Sequence, residues 1–146
     1  MVTAVYEQIT ATTFLVDNVT AAPGSKEVQV VVSVQNNPGI VCMQMGVNFD
    51  ENVMTLKQAE NGEALNGNGF NFQKPKTLGS GNLFLWDATD ASDKNGSVLI
   101  LTFEVSESAA EGTYPINIFF EEGTLCDNDL NPISAAIRNG SIKVSK

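Results

Sequence analysis

Between Val28 and Val34 every second residue is valine, with Gln29, Val31 and Ser33 interleaved. Side chains of a strand point alternately to opposite faces, so this period of two writes one face into a core and leaves the other outside it. The same period runs through GIVCMQMGVNFD, Gly39 to Asp50. Val41, Met43, Met45, Val47 and Phe49 share one side there, and Cys42, Gln44, Gly46 and Asn48 the other. Helical spacing is hard to find anywhere, so the chain is expected to build sheets.

Turn residues divide it into nine candidate strands. TTFLVDNV comes first, followed by AAPGS, and KEVQVVVSVQ runs to NNPG. The Gly39–Asp50 stretch closes in FDEN, and a short VMTLKQA leads into ENGEALNGNG, a loop of Asn-Gly turns. GFNFQ is a short strand that Pro75 marks as an edge or a stop. NLFLWDA, the nearly all-apolar SVLILTFEV, EGTYPINIFFEEG and IRNGSIKV complete the set. Short strands at this spacing predict a single all-β sandwich. A length of 146 residues suits one domain with a real core, and 42% apolar against 17% charged residues argues against disorder.

Composition also removes functions. The net charge of −9, without a basic cluster, argues against nucleic acid and anionic membranes as partners. No apolar run is long enough to span a bilayer, and MVTAVYEQ lacks the pattern of a signal peptide. With no histidine, the usual general base, the Ser-His and Cys-His pairs and the commonest zinc ligand are missing. Two cysteines alone make no ordinary structural zinc site. Glu121 with Glu122, or Asp87 with Asp90, are the carboxylate pairs open to glycoside hydrolysis. The first two point to opposite faces and the second two border a turn, so both read as solvated acids. The Asp- and Asn-rich segments DATDASDKNG and CDNDLNP fail a calcium-loop pattern. Aligned on Gly96, the first and last ligand positions fall on Ala91 and Thr102; in the second segment Pro132 stands at the glycine position and Arg138 at the last. Ordinary Asx-rich turns are the simpler reading. Sequons at Asn18, Asn95 and Asn139 carry little information.

Two stretches raise a binding question. In an acidic chain, the outer side of Gly39–Asp50 is small, polar and uncharged. NLFLWDATD sets Leu83 and Leu85 on one side and Phe84, Trp86 and Ala88 on the other, so both sides are apolar where one solvated face should show polar residues. Either a neighbouring element covers Phe84 and Trp86, or Trp86 is an exposed anchor of the kind favoured at interfaces.

The ordered set FLVDNVTAAPGSKEVQVVVSV, GIVCMQMGVNFDENVMTL, NLFLWDATD, GSVLILTFEV, EGTYPINI and NGSIKV, spanning about Phe14 to Val144, resembles the cohesin domain of cellulosomal scaffold proteins, type I-like. The resemblance implies a nine-stranded sandwich of jelly-roll topology and a dockerin partner carried by an enzyme or a scaffold subunit. It implies a non-catalytic module, monomeric when unbound, that works outside the cell in a cellulosome at the surface or secreted. It implies no cofactor here, since dockerin brings its own calcium loops. In this family the third, fifth, sixth and eighth strands receive the partner. Carried onto this sequence, the candidate contacts are Cys42, Gln44, Gly46 and Asn48 on the third strand, with Gly46 leaving room for the partner. Cys42 and Gln44 replace the family's Asn and Asp. Asn71 and Gln73 follow on the fifth strand if Phe70 and Phe72 face the core; a one-residue slip reverses this. Phe84, Trp86, Ala88 and Thr89 come from the sixth strand, and Cys126, Asn128 and Leu130 from the eighth and its extension. Leu130 reads equally as a contact or as a plug of the core. The resemblance also makes Cys42 and Cys126 neighbours, and the anaerobic setting of cellulosomes favours free thiols. A carbohydrate-binding sandwich using Trp86, Phe84, Phe70 and Phe72 as a sugar platform is the alternative.

Overall fold

The computed structural model describes residues 12–66 and 70–146. The Asn-Gly-rich loop therefore falls partly outside the described residues. Among the described residues eleven strands form two sheets. One has five strands in the order β10-β1-β3-β8-β5, and the other six in the order β2-β11-β9-β4-β7-β6. In chain order they are β1 (Thr13–Val16), β2 (Asn18–Ala21), β3 (Val28–Gln35), β4 (Ile40–Asn48), β5 (Met54–Asn61), β6 (Asn71–Gln73), β7 (Leu83–Ser92), β8 (Gly96–Val105), β9 (Gly112–Phe120), β10 (Ala136–Arg138) and β11 (Gly140–Val144). The fold is an all-β jelly-roll sandwich.

The count exceeds the expected nine because the first and last strands each change sheets partway. β1 and β10 pair in parallel in the smaller sheet; β2 and β11 pair in parallel in the larger one. The crossing points are Asp17 and Asn139. Asp17 N–H donates to Val31 O and its Oδ2 accepts from Val31 N–H, both at 3.1 Å, while its carbonyl accepts from Ser141 N–H at 3.2 Å. Asn139 Oδ1 accepts from Ile118 N–H at 2.8 Å. Asp17 thus keeps its own N–H and carbonyl paired through the crossing, and the Asn139 side chain pairs the Ile118 N–H. Gly140 has no side chain because a Cβ would overlap the Val16 and Asp17 carbonyls.

The core lies between the sheets. Val28, Val30, Val32 and Val34 are buried from one side, and Met43, Met45 and Val47 from the other. In β8, Val98 and Leu99 are both buried, which strict alternation forbids. A bulge resolves it: Val32 pairs with Leu99 and Ser33 with Ser97, so Val98 is the extra residue.

β7 overturns one expectation. Phe84 and Trp86 are 2% and 1% exposed and belong to the core, so neither is a surface anchor. Phe72 packs on both, its ring centre 5.0 Å from that of Trp86 and 6.2 Å from that of Phe84. Trp86 Nε1–H donates to Asn61 Oδ1 at 2.9 Å, and Asn61 Nδ2 in turn donates to Leu65 O at 2.7 Å. The largest rings fill the space between the sheets, and the indole N–H keeps a partner. The same burial removes Phe84 and Trp86 from a sugar platform and leaves only the partly buried Phe70 and Phe72, so that alternative is not favoured.

Trp86→Ala is expected to lower the unfolding free energy by about 3–5 kcal/mol, through the cavity left and the unpaired Asn61 carbonyl. Urea denaturation checks this, and an unchanged midpoint contradicts the packing described.

Candidate partner-binding face

Inward alternation on β4 and β7 fixes what points outward. Met43 pairs with Trp86 and Met45 with Phe84, all buried, so the intervening pairs Cys42–Asp87, Gln44–Leu85 and Gly46–Leu83 face away from the core. β6 extends two of these rows: Asn71 lies beside Asp87 and Gln73 beside Leu85. Phe72, between them, is partly buried against the core. This is the register in which Asn71 and Gln73 face outward, and both are exposed. Asn71 Nδ2 donates to Asp87 Oδ1 at 3.0 Å.

On the other flank Gly46 pairs with Phe119 of β9, whose neighbours Ile116 and Ile118 are buried. A Cβ at residue 46 would overlap the Phe119 ring. The room that Gly46 provides is thus taken by a ring of the same chain, and Gly46 itself is buried. It supports the face and is not open to a partner. The centre of the face is apolar, formed by half-buried Leu83, Leu85 and Phe119. Around them stand Gln44, Gln73, Asn71 and Asp87. The backbone of Gln44 is already engaged, its N–H by Thr124 Oγ1 at 3.2 Å and its carbonyl by Glu121 N–H at 3.0 Å. Its side-chain amide is the group left for a ligand. Cys42, Gln44, Leu85, Asp87, Gly123 and Thr124 line a shallow groove of about 280 Å³ here.

At one end of the face the chain after β9 returns alongside β4. Cys126 pairs antiparallel with Cys42: its N–H donates to Cys42 O at 3.0 Å, and its carbonyl accepts from Val41 N–H at 2.9 Å. Both thiols are free. Burial foremost, helped by the Cys126 thiol and the Asp87 carboxylate, pushes the Cys42 thiol above its ordinary value. Cys126 pairs as well with Pro132, closing a compact loop. Asp127 organises it: Oδ1 accepts from Asp129 N–H at 2.9 Å and from Asn131 N–H at 3.0 Å, and its carbonyl accepts from Leu130 N–H at 2.9 Å. At the tip Leu130 is 70% exposed with φ of +64°. Leu130 is therefore no plug of the core. A leucine in the left-handed region is strained, and with its side chain in water it gains no burial energy in return.

The remaining sites follow. Asn48 is exposed at the opposite end of β4, with Gly81 beside its side chain. Asn128 is exposed in the Asp127 loop. Ala88 is partly buried and Thr89 exposed where the β4–β7 register shifts, outside the regular rows. Cys126 is 7% exposed, too covered to be a contact itself. Asp87, Asp90, Glu121 and Glu122 are all exposed. The sequence reading missed Leu83, Leu85 and Phe119 as outward groups, and took Asp87 for a solvated acid without placing it on this face. The alternation of β9, with Ile116 and Ile118 inward, carried the signal for Phe119.

A family model described as Cohesin domain matches residues 12–144. No curated protein matches the chain. Among solved structures the fold is similar to the OlpA cohesin in a type I cohesin–dockerin complex from Clostridium thermocellum, at 20% identity over 92% of this chain and 99% of that one, with a TM-score of 0.76. The seventh ScaB type I cohesin from Pseudobacteroides cellulosolvens is 23% identical over 92% of each chain, with a TM-score of 0.74. A non-cellulosomal cohesin from the archaeon Archaeoglobus fulgidus is 19% identical over 93% of this chain and 92% of that one, with a TM-score of 0.72.

The Asp127 loop makes a stability prediction. Leu130→Gly is expected to leave the fold intact and to stabilise it by about 1 kcal/mol, because glycine adopts positive φ freely and no buried contact is lost. A thermal melt reads this, and a drop of more than about 1 kcal/mol would show Leu130 to be packed rather than displayed.

Proposed function

The chain belongs to the cohesin family, and from that premise we propose that it is a non-catalytic module that binds a dockerin through the outer face of β9, β4, β7 and β6. The observation that carries this is Leu130, a large apolar side chain held in water at a left-handed backbone position by the Asp127 hydrogen bonds. Folding alone gives no reason for that arrangement, and local strain of this kind is a pointer to function.

The geometry suits a helical partner. Leu83, Leu85 and Phe119 offer an apolar centre, and Gln44, Gln73, Asn71 and Asp87 offer hydrogen bonds around it, the usual division between interface core and rim. Leu130 stands exposed on the loop that follows Cys126. The uncharged side chains of Cys42 and Gln44 meet a partner without a bare charge to desolvate. Because the face sits on a hydrogen-bonded sheet, little ordering entropy opposes docking. Calcium belongs to the dockerin's own loops in this reading. Placement outside the cell and service in a cellulosome follow from the type I character suggested by the sequence; the archaeal relative is described as non-cellulosomal.

Calorimetric titration against a panel of type I dockerins, with calcium and with chelator, tests the proposal. One-to-one binding that requires calcium is expected. Leu130→Gly and Leu85→Ala should each weaken it by about 1–2 kcal/mol, roughly tenfold, without unfolding the domain. Absence of binding to every dockerin, with retention on insoluble cellulose, overturns it in favour of a carbohydrate-binding role.

A further inference from the structure

The loop that displays Leu130 is tied to β4 at its base by Cys126, and the residue opposite it is also cysteine. Directly paired antiparallel residues have Cα atoms about 4.5–5.5 Å apart, inside the range a disulfide needs. Both side chains lie on the same side of the sheet, away from Met43. Cys42 is half-buried and opens on the groove with Gln44, Leu85 and Asp87, whereas Cys126 is buried behind it and its thiol donates to Gly123 O at 3.4 Å. One accessible thiol and one covered partner make an ordered pair of attacking and resolving sulfurs.

We propose that Cys42 and Cys126 form a reversible dithiol–disulfide site that locks the base of the Leu130 loop onto β4. The exchange needs a small-molecule disulfide as oxidant. The Cys42 thiolate attacks one sulfur of that disulfide, forming a mixed disulfide and releasing one small thiolate. The Cys126 thiolate then attacks Cys42 Sγ, forming the intramolecular bond and releasing the second. The protein loses two protons and two electrons, and the small disulfide becomes two thiols. Oxidation costs the Cys126–Gly123 hydrogen bond and gains a covalent tie between β4 and the loop. The raised Cys42 thiol keeps the thiolate scarce near neutral pH, so closure is slow and quickens as pH rises.

The regulatory half of the proposal rests on the dockerin reading: a locked loop presents Leu130 with less ordering cost. The chemistry does not rest on it, and the two are separable. The domain is incubated with excess oxidised glutathione, then examined by intact mass, by thiol alkylation, by melting and by hydrogen exchange of Asn128 to Asn131. Loss of two hydrogens, protection of both cysteines from alkylation and a monomeric product are expected. The melting temperature should rise by about 10 °C, since the cross-link closes a long loop. Slower exchange at the loop amides should follow, with everything reversed by dithiothreitol. Cys126→Ser should stop at a glutathione adduct on Cys42. Full alkylation after oxidation, an adduct that persists in the unsubstituted domain, or a disulfide that leaves loop exchange unchanged would each overturn the proposal. None of these outcomes touches dockerin binding by the reduced domain. Conversely, a domain that closes its disulfide yet binds no dockerin in either state would leave the site standing and remove the function assigned to it.

Discussion

The arrangement depends on the packing of Met43, Met45, Phe84 and Trp86 between the two sheets. These side chains are buried in register, Met43 beside Trp86 and Met45 beside Phe84. A pleated strand cannot rotate one residue without rotating its neighbours, so burying this set forces Cys42, Gln44, Leu83 and Leu85 to the outside. The Asn61–Trp86 hydrogen bond fixes the indole orientation and thereby the phase of β7. The face proposed for recognition is thus held rigid from behind by apolar packing.

Two features of that face lie outside the packing between the sheets. One is the apolar strip of Leu83, Leu85 and Phe119 on the outer side of the sheet; the other is Leu130. Phe119 closes over Gly46, which lets a ring lie flat on the sheet where any side chain would lift it. Leu130 is kept out by a hydrogen-bonded loop that gains nothing from its side chain. Contiguous exposed apolar groups rimmed by polar ones are the usual mark of an interface. Fold and face together fit a module whose activity is association.

Much of this was legible in the sequence, for reasons that differ by strand. β4 declared its faces because large apolar and small polar residues alternate without a break from Val41 to Phe49. β7 did not, because both of its sides are apolar and periodicity cannot say which meets the core; the volume of the rings and the Asn61 partner decide it. Phe119 sat next to Phe120 in an apolar run that blurs the alternation set by Ile116 and Ile118, and its pairing with Gly46 resolves which side it takes. Dividing the first and last strands between the sheets needed contacts from Asp17 to Val31 and Ser141, which no local pattern carries. The proximity of Cys42 and Cys126 came from family resemblance, and the structure pairs them directly.

The most direct test of the account is a methyl-resolved NMR titration of the domain with a calcium-loaded type I dockerin. The account predicts shifts concentrated at the methyl groups of Leu83, Leu85 and Leu130, with Val31 and Ile100 on the opposite sheet unmoved. Shifts centred on Val31 and Ile100, with Leu85 and Leu130 silent, would contradict it by placing the partner on the other side of the sandwich.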